Sequence, residues 1–454
     1  MKCPEDDGLF QEIEAQSVDF SHEEGDAANS SLELFPVSAS WVPEHFSYAA
    51  YSISEAQEAV EKDLLKVWAR FYKDTPKGSV QIRTVNVTPE IPDELSKKVF
   101  QRYAGQGALG EIKPTRVFFG NSGQSVYRGK KSNVPLKISG SKFPELGVGI
   151  YDIVWRWDYR TLSSKSTDEE EVWSEKWIPF ESSMHRIFIT LDSPKSPWSP
   201  HLLSGFNDTT SNDSPLWTEA LYIACKWASG SKTIEEAGKK IADGLYNSGK
   251  FAYHPDSHYA KENMPSNIAK LSIDEPTEKI NYFYLSKVIE RILGGNGFGE
   301  KVNCLDCSLI VAALTNALGG NLQTGKLQHS SDTNYADPEI VAKNRFEIKD
   351  ITAIGRKDVP TTMKDLESDG RYFFSYHSIA WQPVNDESPN FDDPNNTIYD
   401  ACVQFSEDEQ TASGIPLGEL EDESGYRAQL ATPTDKGVEC CLAQTVTVRK
   451  IQLL

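Results

Sequence analysis

Two cysteines three residues apart open an apolar segment, VNCLDCSLIVAALTNALGG, at residues 302–320. Asn303 is a good N-cap and Asp306 lies three residues after it, so the pattern predicts a buried helix that begins at Cys304. A thiol at that position meets unpaired backbone N–H groups and the positive end of the helix dipole, which favour the reactive thiolate. Cys307 lies one turn deeper on the same face. Cys304 is therefore the candidate nucleophile.

Four explanations of this cysteine pair are open. The first is that both thiols are core residues, since cysteine is often buried as a small apolar side chain. A zinc site requires a second pair of ligands, and the adjacent Cys440 and Cys441 have the wrong spacing. A redox pair fits the Cys-x-x-Cys pattern, although such a pair usually follows a strand. A nucleophile requires a histidine elsewhere as its base.

One of the eight histidines stands out because it lies within a strand-like segment near apolar residues. This is His377, in YFFSYHSIAWQ, where it shares a face with Ile379 and Trp381. The next strand-like segment, TIYDACVQF, carries Asp400 among apolar neighbours, and a lone carboxylate there is costly unless it is paired. We therefore expect Asp400 to bind His377 and His377 to lie beside Cys304. His329 is the next candidate for the base.

A cysteine at the start of a buried helix, followed by a histidine and an aspartate on successive strands, resembles the transglutaminase-like superfamily of papain-like thiol enzymes. In that family the cysteine is followed by an acidic residue two positions on, a small residue four positions on, and an Ala-Leu-Gly helix end. This chain has Asp306, Ser308 and Ala-Leu-Gly at 317–319. The resemblance covers about residues 214–405.

The resemblance implies thiol-dependent acyl transfer or amide hydrolysis through a triad of Cys304, His377 and Asp400. Cys304 would attack an amide carbonyl, and His377 would take its proton and later protonate the leaving amine. Asp400 would orient His377. Water as the second substrate gives a cysteine peptidase or a deamidase, and an amine gives a cross-linking enzyme. The expected substrate is a protein or peptide.

The chain departs from the family pattern near each of these three residues. Asp400 follows Ile398 and Tyr399, where the family commonly has a phrase that begins with tryptophan. Val302 stands where the family often has glycine, and Ser378 follows His377 where the family often has alanine. A second hypothesis is therefore a catalytically inactive transglutaminase-like scaffold that acts as a protein-interaction module.

The sequence predicts a multidomain chain. Residues 1–77 are expected to form an acidic flexible N-terminus plus one amphipathic helix over 54–73. Residues 78–196 alternate apolar and polar positions between short turns, which predicts an all-β, immunoglobulin-like sandwich. Its clearest segments are GIYDIVWRWDYR and MHRIFITLDS, joined across a charged STDEEE tip. Residues 197–454 are expected to form an α+β transglutaminase-like (papain-like) domain.

Within that domain the helices precede the strands. Ser214 and Pro215 predict one helix start, and the capping box of Thr233 and Glu236 predicts another. NYFYLSKVIERILGG predicts a third helix before the one at Cys304. FEIKDITAIG, YFFSYHSIAWQPV, TIYDACVQF and QTVTVRKIQLL predict strands.

Composition limits the partners. The formal net charge of -21 argues against a nucleic-acid or anionic-membrane surface. The N-terminus has no apolar signal region and no run of eighteen apolar residues occurs, so we expect a cytoplasmic protein without a membrane span. Seven cysteines do not suggest a disulfide framework. No cofactor or metal is expected, since the acidic loop at 385–396 lacks EF-hand spacing for calcium.

Overall fold

The structure is a computed structural model. It describes residues 13–21, 46–54, 56–57, 66–73, 78–86, 111–119, 130–139, 147–163, 166, 171–198, 216–254, 260–261, 281–328, 351–355, 376–405, 411–419, 424–430, 442–444 and 451–453. These residues divide into two compact units, unit 1 up to Ile189 and unit 2 from Thr190 onwards.

The boundary between the units lies earlier than the predicted one at 196–197. The reason is that the segment 190–198 binds the C-terminal end of the helix that begins at Cys304. The Leu191 N–H donates to the Leu318 carbonyl at 3.0 Å, and the Lys195 N–H donates to the Asn316 carbonyl at 2.9 Å. The segment therefore belongs to unit 2.

The described part of unit 1 consists mainly of strands, with helical residues at 53–54 and 56–57. The strands are β1 (Ile13–Ser21), β2 (Phe46–Ser52), β3 (Lys66–Lys73), β4 (Gly78–Asn86), β5 (Glu111–Ile112), β6 (Thr115–Phe119), β7 (Lys130–Ser139), β8 (Gly149–Thr161) and β9 (Ile178–Thr190). One sheet has the order β1-β3-β7-β5 and the other has the order β2-β9-β8-β4-β6.

The two longest strands of unit 1 lie where alternation predicted them. β8 and β9 pair antiparallel, and the alternating aromatic residues of β8, including Trp155 and Trp157, are fully buried. The charged tip between them lies largely outside the described residues. That the two sheets form an immunoglobulin-like sandwich stays a prediction.

The helix predicted over 54–73 is wrong at its C-terminal end, because Lys66–Lys73 form strand β3 between β1 and β7. KVWARFYK is rich in β-branched and aromatic residues, which suit a pleated strand, and two partner strands satisfy its backbone. Tertiary pairing has overridden a local helical pattern. β1 likewise lies inside the segment predicted to be flexible.

Unit 2 combines helices with short and long strands. Its described elements are α1 (Thr218–Trp227), α2 (Ile234–Tyr246), β10 (Ala252–Tyr253), β11 (Ala260–Lys261), β12 (Asn281–Phe283), α3 (Leu285–Ile292), β13 (Lys301–Val302), α4 (Cys304–Ala317), β14 (Gln323–Gln328), β15 (Ile351–Ala353), β16 (Tyr376–Gln382), β17 (Thr397–Phe405), β18 (Thr411–Pro416), α5 (Tyr426–Leu430), β19 (Leu442–Gln444) and β20 (Ile451–Leu453).

The predicted starts of the helices agree with the structure to different degrees. At α2 the Thr233 side chain accepts from the Glu236 N–H at 3.2 Å, as predicted. The helix predicted from residue 281 is wrong at its first residues, because Asn281–Phe283 pair with β11 and β20 as a strand. Ser214 and Pro215 lie outside the described residues. No helix in the described part of the chain combines the length and the apolar character needed to cross a bilayer.

The sheet that carries the predicted site residues has six strands. Its order is β15-β17-β16-β14-β19, with β18 also paired to β17. Helix α4 packs against β16 and β17, as predicted, and is covered by α1 and α2. Gly238 of α2 lies against the buried ring of Tyr399 on β17, where an added Cβ would come within 2.6 Å of the ring.

The C-terminal end of α4 is anchored by a Schellman motif. Gly319 has a φ of 96°, and its N–H donates to the Asn316 carbonyl, while the Gly320 N–H donates to the Thr315 carbonyl. The buried Asn316 amide donates to the carbonyls of Ser196 and Leu322 and accepts from the Leu322 N–H at 2.7 Å. These bonds hold α4 in one register over the sheet, which fixes the depth of its N-terminus.

Candidate active site

Cys304 is the first residue of α4. Asn303 caps the helix by accepting from the Asp306 N–H at 3.0 Å, and the Asp306 carboxylate accepts from the Asn303 N–H at 3.1 Å. This is the predicted capping box. The Cys304 side chain is only 5% exposed, so the thiol lies at the edge of the core beside the unpaired first turn of the helix.

His377 and Asp400 lie on neighbouring strands. The register pairs Trp381 with Ile398, so His377 on β16 and Asp400 on β17 fall on the same face of the sheet. The Nε2 atom of His377 lies 2.7 Å from Oδ2 of Asp400, and both side chains are almost completely buried. The predicted histidine–aspartate pair is present.

The imidazole of His377 also interacts with the thiol of Cys304. Burial lowers the pKa of His377, but the Asp400 carboxylate and the interaction with Cys304 outweigh burial and raise it to about 10. The ring is therefore an imidazolium at neutral pH. Because Nε2 is engaged by Asp400, the buried Nδ1 is the nitrogen through which the ring can exchange a proton with Cys304. The structure thus brings the three predicted site residues together.

Asp400 has further partners that the sequence does not indicate. Its Oδ1 accepts from the Cys402 N–H at 2.7 Å, and its Oδ2 accepts from the Tyr426 hydroxyl at 2.6 Å. A register shift in the β17–β18 ladder follows Asp400, and the Ser413 hydroxyl accepts from the Asp400 N–H there at 3.0 Å. Bulges of this kind are common beside active sites, where they aim a side chain.

Cys307 has a different environment from Cys304. It is fully buried one turn further along α4 and forms a hydrogen bond with Cys402 on β17. That bond lowers the pKa of Cys307, but burial together with the nearby Asp306 and Asp400 carboxylates raises it more, so the net pKa is raised. Burial also raises the pKa of Cys402 well above its usual value. Both groups are thiols at neutral pH and pack as core residues.

The remaining candidate residues do not join the site. His185 is buried in unit 1 with its ring centroid 4.8 Å from that of Trp155. His329, Cys440 and Cys441 lie outside the described residues. Within the described part of the chain, no group of three or more His, Cys, Asp or Glu side chains is placed to hold a metal ion.

The loop at 385–396 binds its own backbone and side chains. Asn396 is buried, its amide donates to the Asn390 carbonyl at 2.7 Å, and its carbonyl accepts from the Leu417 N–H at 2.7 Å. Asp393 accepts from both nitrogens of Asn395. These oxygen atoms therefore brace the loop that connects β16 to β17.

No protein-family model matches this chain, and no curated protein is significantly similar to it in sequence.

Proposed function

We propose that this protein is a thiol-dependent acyltransferase or amide hydrolase of transglutaminase-like type. Cys304 is the nucleophile, His377 the proton carrier and Asp400 the group that orients and charges His377. The catalytic unit is the α+β, papain-like part of the chain, and the substrate is a protein or peptide amide.

The observation that supports this proposal is the interaction of His377 with both Asp400 and Cys304. A histidine whose Nε2 is 2.7 Å from a buried carboxylate, and which also interacts with a thiol at a helix N-terminus, matches the needs of nucleophilic catalysis. A structural histidine in an apolar core usually has its pKa lowered by burial, as His185 does, to about 3. The pKa of His377 is raised instead, to about 10.

The reaction follows from these protonation states. The Cys304 thiolate attacks the amide carbonyl, and the Cys304 backbone N–H, which has no intrahelical acceptor at this first position, donates to the developing oxyanion. The His377 imidazolium then gives its proton to the departing amine as the thioester forms. His377, now neutral, takes a proton from water or from an acceptor amine, which attacks the thioester and releases Cys304.

We place the protein in a reducing compartment such as the cytoplasm. The four cysteines among the described residues, Cys225, Cys304, Cys307 and Cys402, are all buried, and none of them forms a disulfide. The proposed chemistry requires the first of the α4 thiols to stay reduced.

Three assays on the purified chain test the proposal and separate its variants. Release of peptides from casein reports peptidase activity, release of ammonia from a glutamine peptide reports deamidation, and incorporation of dansylcadaverine reports cross-linking. At least one signal should appear in the wild type and in Cys307→Ala and should vanish in Cys304→Ala.

Cys307→Ala is the matched control, because Cys307 is a thiol one turn further along the same helix and does not contact His377 in the proposed mechanism. A wild-type protein that is silent in all three assays, with Cys304 no more reactive towards iodoacetamide than Cys307, contradicts the proposal. That result would favour the scaffold alternative.

A further inference from the structure

A buried tyrosine shares the carboxylate oxygen that holds the histidine. The Tyr426 hydroxyl donates to Oδ2 of Asp400 at 2.6 Å, and His377 Nε2 contacts the same oxygen at 2.7 Å. Tyr426 is completely buried, and burial together with the Asp400 carboxylate raises its pKa well above the usual value. The phenol therefore stays protonated and acts only as a donor.

Together these contacts immobilise the carboxylate. Oδ1 of Asp400 accepts from the Cys402 N–H, while Oδ2 accepts from Tyr426 and faces His377. A buried ionised carboxylate needs such donors, because unpaired buried charge is costly. Without Tyr426, His377 would be the one remaining donor to Oδ2 among these contacts. The negative charge on Oδ2 would then attract the imidazolium more strongly.

The segment that carries Tyr426 is anchored at several points. The Arg427 N–H donates to the Leu417 carbonyl at 3.0 Å, and the Arg427 guanidinium donates to Asp392 at 3.1 Å. Gly418 has a φ of 68° and lies so close to the Gly425 backbone that an added Cβ would come within 2.5 Å of it. Helix α5 is too short to be stable alone, so these contacts hold the phenol in place.

We propose that Tyr426 is a positioning residue for the Cys304–His377–Asp400 triad. It sets the orientation of the Asp400 carboxylate and takes part of its charge density, which tunes how strongly Asp400 holds the proton of His377. Tyr426 itself does not touch the substrate. This inference rests on the proposed function for its catalytic meaning, but its physical content can be measured without any substrate.

The test is an NMR titration of the His377 ring in the full chain labelled with ¹³C at histidine Cε1. Assignment uses His377→Gln. Tyr426→Phe keeps the ring volume and removes one donor, so the charge on Oδ2 should act more strongly on His377. We expect the pKa of His377 to rise by about half a unit to one unit, and the amide-cleaving or transfer rate to fall about tenfold through misorientation.

Tyr399→Phe is the matched control. Tyr399 is also a buried tyrosine of this sheet region, and its hydroxyl donates to Gln382 at 3.0 Å rather than to Asp400. The two substitutions should lower the melting temperature to a similar degree. Only Tyr426→Phe should move the titration of His377, whereas a purely structural tyrosine would leave it in place.

Other titratable groups near Asp400 are held constant in this comparison. They are Cys304, Cys307 and Cys402, together with Asp306, which acts on Cys307, and Tyr246, which interacts with Cys402. Should Tyr426→Phe fail to fold, Asp392→Ala removes the half-exposed partner of Arg427 and should shift the His377 titration in the same direction by less.

The inference is overturned if the pKa of His377 in Tyr426→Phe is unchanged or lower than in the wild type. Failure of the proposed function looks different, because the wild type would then lack amide activity while the titration still moved. The opposite pattern, an active enzyme whose titration is insensitive to Tyr426→Phe, would retain the proposed function and remove the positioning role.

Discussion

Replacing Asp400 with asparagine tests the electrostatic core of the site. In Asp400→Asn the new side chain would keep its amide oxygen on the Cys402 N–H, because that bond fixes one end of the side chain at 2.7 Å. The amide nitrogen would then take the place of Oδ2, opposite Nε2 of His377. Two donors would face each other, so the ring must change tautomer and carry its hydrogen on Nδ1, where it can no longer take the Cys304 proton.

The magnitude follows from the pKa of His377. A value of about 10 lies about 3.5 units above the usual histidine value, which corresponds to about 5 kcal/mol in favour of the imidazolium. Asp400→Asn removes the main favourable contribution and leaves burial, which lowers the pKa. Even at the ordinary value, only about 3% of the rings would be protonated at pH 8. The population of reactive ion pairs should therefore fall about thirtyfold.

The assay is the second-order rate of iodoacetamide alkylation of Cys304, followed from pH 5 to pH 11 by peptide mapping. Asp400→Asn should slow alkylation at pH 8 by more than tenfold and move the His377 titration below pH 7. Asp243→Asn is the control, since Asp243 accepts from the Thr411 N–H and does not contact His377. Equal rate–pH profiles for wild type and Asp400→Asn would refute the electrostatic account.

Three further predictions concern stability. Because folding raises the pKa of His377, the contribution of this residue to the free energy of unfolding should be complete below about pH 6.5 and lost as the pH rises through about 10. Chemical unfolding across this pH range should show the loss in the wild type and much less of it in Asp400→Asn. Burial lowers the pKa of His185 to about 3, so the unfolded state binds a proton at this residue before the folded state does as the pH falls below 6.5. The free energy of unfolding of the wild type, measured by urea titration, should therefore fall by about 3 kcal/mol by pH 4. His185→Gln should not show this loss. Asn316→Ala should lower the free energy of unfolding by about 2 to 4 kcal/mol, because it leaves buried backbone groups without their hydrogen-bond partner, while Cys304 stays reactive. Asn247 is exposed, and Asn247→Ala should change stability by less than about 0.5 kcal/mol.

The parts of the structure with strong local signals were predictable. The limits of α4 follow from the Asn303–Asp306 capping box and from Gly319, because caps act within a few residues. Strand β17 was predicted over its full length. The contact of His377 with Asp400 was predictable because an isolated carboxylate in an apolar strand needs a buried partner.

The parts of the structure that are fixed by contacts between distant residues could not be predicted from the sequence. Tyr426 reaches Asp400 from 26 residues further along the chain, on a five-residue helix with no periodicity to reveal it. Strand β3 has a sequence that suits a helix or a strand, and its pairing with β1 and β7 decides between them. The order of the six-stranded sheet, with β14 between β16 and β19, also depends on pairings that no local pattern encodes.

The most direct test of the proposed function is a competition among the thiols of the native protein for substoichiometric iodoacetamide at pH 7.5, read by peptide mass mapping. We expect Cys304 to be alkylated first and Cys225, Cys307 and Cys402 to be labelled at least about tenfold more slowly. We expect His377→Ala to remove the advantage of Cys304. Labelling of Cys307 ahead of Cys304, or a Cys304 rate unchanged by His377→Ala, would contradict the assignment of Cys304 as a nucleophile activated by His377.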